Sequence, residues 1–297
     1  MSNLNSKYLD GTCDIVQTEI GGQLFVWGKQ TYIMGILNVS PDSFSGDGLY
    51  DNLEGAVQRA LYMEYYGAHI IDVGGESSRP AGSIYGDGAM PVTMEEELQR
   101  VIPLIQRLKE VLTIPISVDT YKSSVAKEAI AVGAAAINDV WGLKKDPNLA
   151  KVVADMEVPI FLTHNQLDTH YDDVLSEVIE DLKCSVNKAK DAGISQGKII
   201  LDPGIGFGKT VFDNLTILRC ISEFRSALGY PVLLGTSRKS TIGQILGGLP
   251  PNERLEGTAA TVALAIGQRV DMVRVHDVKE ISRVVSVSDA VVRGWSG

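Results

Sequence analysis

Polar residues of complementary chemistry recur along the 297-residue chain where short apolar runs end. They are Asn38, Glu76-Ser77-Ser78-Arg79, Asp119, Asn138-Asp139, His164-Asn165, Asp202, Ser237-Arg238-Lys239, and Arg274 with His276. Asp119, Asn138, Asp202 and Lys239 together offer two carboxylate acceptors, an amide and a cation. This set matches a flat heterocycle with an amino-amide edge: the carboxylates accept from ring N–H and exocyclic NH2, and lysine donates to a ring carbonyl. Arg79, Arg274 and His276, with Ser78 and the loop after Asn38, form a donor cluster suited to phosphate or pyrophosphate. A single Asp or Asn in such a place more often caps the next helix, and Asp119-Thr120 before "YKSSVAKEAI" fits that plainer pattern. For Arg79 and Arg274 the plain alternative is a surface salt bridge, although an arginine inside the apolar run "MVRVHDV" speaks against it.

The stretch "DPGIGFGKT", Asp202 to Thr210, has the glycines and the Lys-Thr pair of a nucleotide cradle. The P-loop pattern G-x-x-x-x-G-K-[ST] would need glycine where Pro203 stands, and the dinucleotide pattern G-x-G-x-x-G would need it at Lys209. Both patterns also open a first βα unit, and this one is the sixth. The glycines therefore predict a tight turn that presents Asp202 and brings Phe207 to a ligand wall. Weaker candidates have structural readings. His164, Asp168 and His170 lack a specific zinc spacing, His69 opens a strand, and Cys184 has no base to activate it. Tyr62, Tyr65 and Tyr66 read as packing.

The elements that must position these residues follow from periodicity. Eight apolar runs begin at Tyr32, His69, Pro115, Ala135, Val158, Ile199, Pro231 and Met272, with amphipathic helical stretches such as "MEEELQRVIPLIQRLKEVL" between them. Alternating strands and helices predict a parallel sheet, and nearly all-apolar strands predict one buried on both faces. Eight βα units in about 250 residues favour an α/β fold of the (β/α)8 TIM barrel type over a doubly wound sheet. In such a barrel the strand ends line one mouth. Ahead of it, "DIVQTEIGGQLFVWG" predicts a β-hairpin around Gly21-Gly22 that covers the barrel's N-terminal end. The expected organisation is a tail over 1–13 and a single barrel domain over 14–297.

Composition narrows the function classes. The chain is 44% hydrophobic and 22% charged, with a net charge of -10 and a pI near 4.9. A broad basic face for nucleic acid or anionic membrane is thus not expected, and any anion must be held by a local cluster. Cys13, Cys184 and Cys220 form no C-x-x-C pair, and no apolar stretch reaches the roughly 18 residues of a membrane helix. The expectation is a soluble cytoplasmic protein.

The segments "MGILNVSPDSFSGDG", "DVGGESSRPAG", "SVDTYKSSVAKEA", "INDVWG", "LDPGIGFGKT", "GTSRKSTIG" and "RVHDV" occur in this order. Together they resemble the dihydropteroate synthases from about residue 14 to the end. The resemblance implies a homodimeric transferase of folate biosynthesis that joins 6-hydroxymethyl-7,8-dihydropterin pyrophosphate to p-aminobenzoate with Mg2+ assistance. It implies that Asp119, Asn138, Asp202 and Lys239 hold the pterin and that Asn38 ligates Mg2+. It further implies that Ser78, Arg79, Arg274 and His276 hold pyrophosphate. Pro80, Phe207 and Ser237 would contact the aminobenzoate, where sulfonamides compete, and Asp119, Lys239, Arg274 and His276 would carry the catalysis. The loops after Asn38 and Gly75 would close over the substrates.

Three positions depart from the family pattern. Ser78 stands for a threonine and keeps its hydroxyl. "SFSGDG" leaves the acidic role of its loop between Asp42 and Asp47, and Thr163 before His164 makes the pterin wall more polar. Two other readings share the pocket: a methyltetrahydrofolate-binding corrinoid methyltransferase, which has no use for Arg79 and His276, and a non-catalytic pterin-binding protein indifferent to Mg2+. A barrel aldolase would instead need a Schiff-base lysine, for which Lys239 is the nearest candidate.

Overall fold

The structure is a computed structural model, described over residues 16–39, 52–77 and 92–295. Ser78, Arg79 and Pro80, and the Asp42/Asp47 alternative, lie outside the described residues.

The hairpin comes first: β1 (Gln17–Ile20) pairs antiparallel with β2 (Gln23–Val26) around Gly21 and Gly22, both at positive φ. That backbone suits a two-residue hairpin turn and favours glycine. Gly21 is also pressed against the sheet, since a Cβ there would meet the Pro115 and Ala135 side chains just ahead of two barrel strands. Ile20, Phe25 and Trp27 are buried, and Thr18 Oγ1 donates to the Gly197 carbonyl oxygen at 2.7 Å. The hairpin thus plugs the N-terminal end of the barrel.

Eight parallel strands follow: β3 (Tyr32–Asn38), β4 (Ile70–Gly74), β5 (Ile116–Asp119), β6 (Ala136–Asp139), β7 (Ile160–Thr163), β8 (Ile199–Asp202), β9 (Leu233–Leu234) and β10 (Met272–Val275). They neighbour one another in the order β8-β7-β6-β5-β4-β3-β10-β9, and a parallel bridge from Leu201 to Val232 returns β9 to β8. All eight predicted runs are present, and the barrel expectation is met. The seventh is much shorter than its sequence run. Pro231 has no N–H for the ladder, and after Leu234 the chain leaves the sheet toward a helix at Ser240–Ile245, with Arg238 in the left-handed region (φ 57°).

Strand residues such as Ile71, Val73, Val118, Ile137, Phe161, Ile200 and Val273 are fully buried, as expected for a sheet sandwiched between barrel interior and helices. Capping sharpens the helix starts. Thr93 with Glu96 opens Met94–Val111, and Asp173 opens Val174–Asp191. Thr210 with Asp213 opens Val211–Arg219, so Thr210 of the glycine stretch serves as a helix cap. Asp119 is not a cap. The helix Ser123–Val132 has no capping side chain at Lys122, and its Ser123 N–H donates to Asp146 Oδ2 at 2.8 Å. The tyrosines pack on one another as expected, Tyr62 on Tyr66 at 4.5 Å between centroids and Tyr65 edge-on to Tyr66 at 5.0 Å, although Tyr65 is 82% exposed. Among the described residues no helix is long and apolar enough to cross a membrane.

Candidate active site

Strand register sets the floor of the site. Asn38 pairs with Gly74, Gly74 with Asp119, and Asp119 with Asn138, so the C-terminal ends of β3 to β6 form one row. Gly74 keeps that row open, because a Cβ there would lie 3.1 Å from Asn38 Oδ1 and 3.6 Å from the Asp119 Cβ. Across the mouth β7 pairs Thr163 with Asp202 at the end of β8. Asn38, Asp119, Asn138, Asp202, Phe207, Ser237, Lys239, Arg274 and His276 all line one cavity, with Glu76 and Ser77 at the same opening.

A residue that the sequence reading passed over organises the floor. Asp72, inside β4 and fully buried, accepts from Arg274 Nε at 2.6 Å and Asn138 Nδ2 at 2.9 Å on one oxygen. Its other oxygen accepts from Ser117 Oγ at 2.6 Å. Arg274 also donates from Nη2 to Asp119 Oδ2 at 2.8 Å. The guanidinium is therefore committed on two sides to carboxylates of the heterocycle floor. An acid in the middle of "IIDVGG" signals as much as the arginine in "MVRVHDV", because neither belongs in an apolar strand without a partner.

The floor carries more acceptors than donors. Asn138 is 1% exposed, its Nδ2 is bound to Asp72, and its Oδ1 has no hydrogen-bond partner. Burial pushes the Asp119 carboxyl up to about 8 against the pull of Arg274, with the Asp72 carboxylate adding to the rise. Burial also raises the Asp202 carboxyl, although its Oδ1 accepts the Gly204 N–H at 2.8 Å. Buried acceptors in this state call for N–H donors from a ligand. Besides Arg274, the cation of Lys239 lines the same cavity. Desolvation, with repulsion from Arg274, pushes the Lys239 amine down to about 8, and its Nζ lies 4.2 Å from the centroid of the Phe207 ring.

Ser237 and His276 supply the donor side. The His276 backbone N–H donates to Ser237 Oγ at 3.1 Å, which leaves the hydroxyl proton for His276 Nδ1 at 2.9 Å. Burial holds the imidazole well below its usual range, which favours the neutral ring, and a Ser237 hydroxyl that donates to Nδ1 puts the ring proton on Nε2. That tautomer is a donor toward an oxyanion. Arg238, by contrast, is held by Asp277 in a two-point ion pair.

The remaining candidates fall away from the cavity. Asp139 accepts the Trp141 and Leu143 N–H groups and shapes the turn after β6. His170 is exposed, and among the described residues no group of three or more His, Cys, Asp or Glu is arranged to hold a metal ion. His69 is structural, its Nδ1 accepting the Ile33 N–H at 3.1 Å.

A barrel with an acceptor-rich heterocycle floor beside an anion-facing donor set defines a pterin-binding enzyme, and the comparisons agree. Residues 34–276 match the family model described as "Pterin binding enzyme". The dihydropteroate synthase of Bacillus subtilis is 53% identical over 264 residues, 89% of this chain and 90% of the relative. A Clostridium difficile dihydropteroate synthase structure, obtained in the presence of pteroic acid, is 50% identical with a TM-score of 0.83, covering 90% of this chain and 98% of that one. A Xanthomonas albilineans dihydropteroate synthase with 4-aminobenzoic acid is 40% identical with a TM-score of 0.85, covering 93% and 98%. The chain belongs to the dihydropteroate synthases, transferases within the pterin-binding enzyme family.

Proposed function

We propose that the barrel mouth binds 6-hydroxymethyl-7,8-dihydropterin pyrophosphate and p-aminobenzoate and joins them into 7,8-dihydropteroate with release of pyrophosphate. The observation that carries this reading is the buried acceptor set at the cavity: Asn138 Oδ1, which has no partner, beside the Asp119 and Asp202 carboxyls and with Lys239 on the same lining. A pterin edge supplies ring N–H and exocyclic NH2 to the acceptors and a ring carbonyl to Lys239. Phe207 and Ser237, both on the cavity wall, would meet the arylamine, and the family resemblance adds Pro80 to them. His276 Nε2–H, the free side of Arg274, Ser78 and Arg79 receive the pyrophosphate.

Breaking the methylene C–O bond sends negative charge onto the departing pyrophosphate and leaves positive charge on the pterin methylene. Donors aimed at the leaving group stabilise the first, the largest contribution a site of this type makes. The Asp119 and Asp202 carboxyls, which ligand N–H donors favour in the ionised form, stabilise the second. The arylamine nitrogen then forms the C–N bond and loses a proton to water, so no protein nucleophile is needed. For Mg2+, the side chains fit an ion that arrives with its ligand: Asn38 presents one hard amide oxygen at the cavity, and the described residues hold no carboxylate cage. Asn38 would hold it beside the pyrophosphate, where it would neutralise oxygen charge. The corrinoid alternative has no role for the Ser237–His276 pair.

A homodimer fits the outer helices. Leu264 on Leu255–Gly267 and Val287 and Val291 on Val278–Arg293 are 70%, 67% and 80% exposed, and a second copy covers them. Free thiols at Cys184 and Cys220 accord with a reducing cytoplasm.

The test is pyrophosphate release by purified protein given both substrates and Mg2+. Release that stops with a chelator is expected; no release, or release indifferent to the chelator, contradicts the reading.

A further inference from the structure

Lys209 follows the last glycine of the stretch, yet it does not line the site cavity. The side chain is fully buried, with Nζ 2.7 Å from His164 Nδ1, 3.0 Å from the Gly204 carbonyl oxygen and 3.1 Å from the Phe207 carbonyl oxygen. Those carbonyls belong to the turn that separates Asp202 from the Phe207 ring. Burial penalises the ammonium and pushes its pKa down to about 7, so a group this costly to bury is retained for what its contacts do.

His164, 2% exposed at the end of β7, is the ammonium's side-chain seat. Burial and the charges of Lys209 and Lys144 depress its imidazole, so Nδ1 accepts and Nε2 keeps the proton. Nε2 lies 3.9 Å from Asp181, which Lys144 bridges to the Asn165 carbonyl oxygen. The seat is thereby tied to the helix Val174–Asp191.

The turn needs such a clamp. Gly204, Gly206 and Gly208 all have φ in the left-handed region, at 72°, 82° and 55°. Space also demands glycine: a Cβ at Gly204 would strike the His164 carbonyl oxygen, and one at Gly208 would lie 2.5 Å from the Gln166 carbonyl oxygen. A run this rich in glycine loses much freedom on ordering and does not hold one shape by itself. Its N–H groups are caught by Asp202, for Gly204, and by Asn214, for Gly206 at 2.8 Å. Its carbonyls at Gly204 and Phe207 are caught by Lys209.

We propose that Lys209, seated on His164, is a positioning residue for the condensation: it fixes the turn so that the Phe207 ring keeps its place on the cavity wall against Lys239. This rests on the reading that Phe207 contacts the aminobenzoate. Asp202 lies within β8 and keeps the strand's support, whereas Phe207 depends on the turn. A misplacement of about 1 Å in a reactant-positioning group can cost on the order of 100-fold.

Kinetics with each substrate varied in turn test this in the full chain, with thermal unfolding to confirm folding. Lys209→Met keeps the length of the side chain and removes the ammonium. His164→Leu removes its seat, while His164→Asn keeps an acceptor near the Nδ1 position. Lys209→Met and His164→Leu are expected to raise the aminobenzoate KM about tenfold or more, and the pterin KM by much less. His164→Asn is expected to stay closer to wild type than His164→Leu. Phe207→Ala is measured alongside: an unchanged aminobenzoate KM there defeats the reading of Phe207, and the proposal with it. If Phe207→Ala raises that KM while folded Lys209→Met leaves it at the wild-type value, the positioning role alone is overturned. Equal rises in both KM values with a matching loss of thermal stability also overturn it, since Lys209 is then only a structural prop. If Lys209→Met does not fold, equal KM values for His164→Asn and His164→Leu decide against the proposal.

Discussion

Two buried charge networks sit at opposite ends of this barrel and differ in one respect: whether the protein satisfies its own polar atoms. At the N-terminal end Asp271 pairs with Arg225 and accepts the Val232 N–H at 3.0 Å. Arg293 donates to Asp289, Thr31 and the carbonyls of Gly28 and Val270, and Asp289 also accepts the Thr31 N–H. None of these side chains leaves a buried polar atom unpaired. At the C-terminal end Arg274 serves two carboxylates and Asn138 Oδ1 is orphaned, although burial raises the carboxyls at both ends, Asp271 as well as Asp119 and Asp202. The closed network holds strands together, and the open one is completed by a ligand. This is the usual division of labour between the two faces of a (β/α)8 barrel, reached here from atom-by-atom satisfaction.

Breaking each network should give opposite signatures. The largest effect expected on stability is at the closed end, where Asp271→Ala leaves Arg225 and the Val232 N–H without their acceptor and costs about 3–5 kcal/mol. Denaturant unfolding checks this, and the folded fraction should keep both KM values. Asp72→Asn at the open end puts an NH2 where Arg274 and Asn138 already donate. It should lower kcat/KM for the pterin substrate on the order of 100-fold, while destabilising the fold less than Asp271→Ala. A comparable loss of stability with intact kinetics would erase the contrast.

The smallest effect is in the pH dependence of stability. The folded-state pKa of Asp119 is raised from 3.8 to about 8. Across that window the folded protein holds a proton that the unfolded chain has released, so this group's contribution to stability falls as pH rises from about 4 and is fully lost above about 8. Asp119→Asn should therefore flatten the decline in unfolding free energy between about pH 5 and 8. An unchanged slope would place the titration elsewhere.

The contrast also explains what could be read in advance. The eight strands were legible because apolar runs alternate with helical periods, and the strand-end residues Asn38, Asp119, Asn138, Asp202, Ser237, Lys239, Arg274 and His276 were legible because polar groups close those runs. Partnerships were not. Arg274 announces itself in an apolar strand, but its partner Asp72 lies 202 residues away, and nothing local to either strand marks the pairing. Lys209 followed glycines and resembled a phosphate ligand; its seat, His164, lies 45 residues away in sequence. Whether Asp119 would cap a helix or face a ligand depended on Asp146, which occupies the capping place from a later loop. In each case local pattern fixes which residues stand at the mouth, and tertiary register decides what they touch.

The central claim is that the open network awaits the N–H donors of a pterin, and calorimetric titration of Asp202→Asn with the pterin pyrophosphate tests it most directly. Replacing the carboxylate with an amide leaves ring donors unpaired, so affinity should fall by about 1–3 kcal/mol, each 1.4 kcal/mol being roughly tenfold in Kd. Binding as tight as wild type, in a variant that folds normally, would contradict the account.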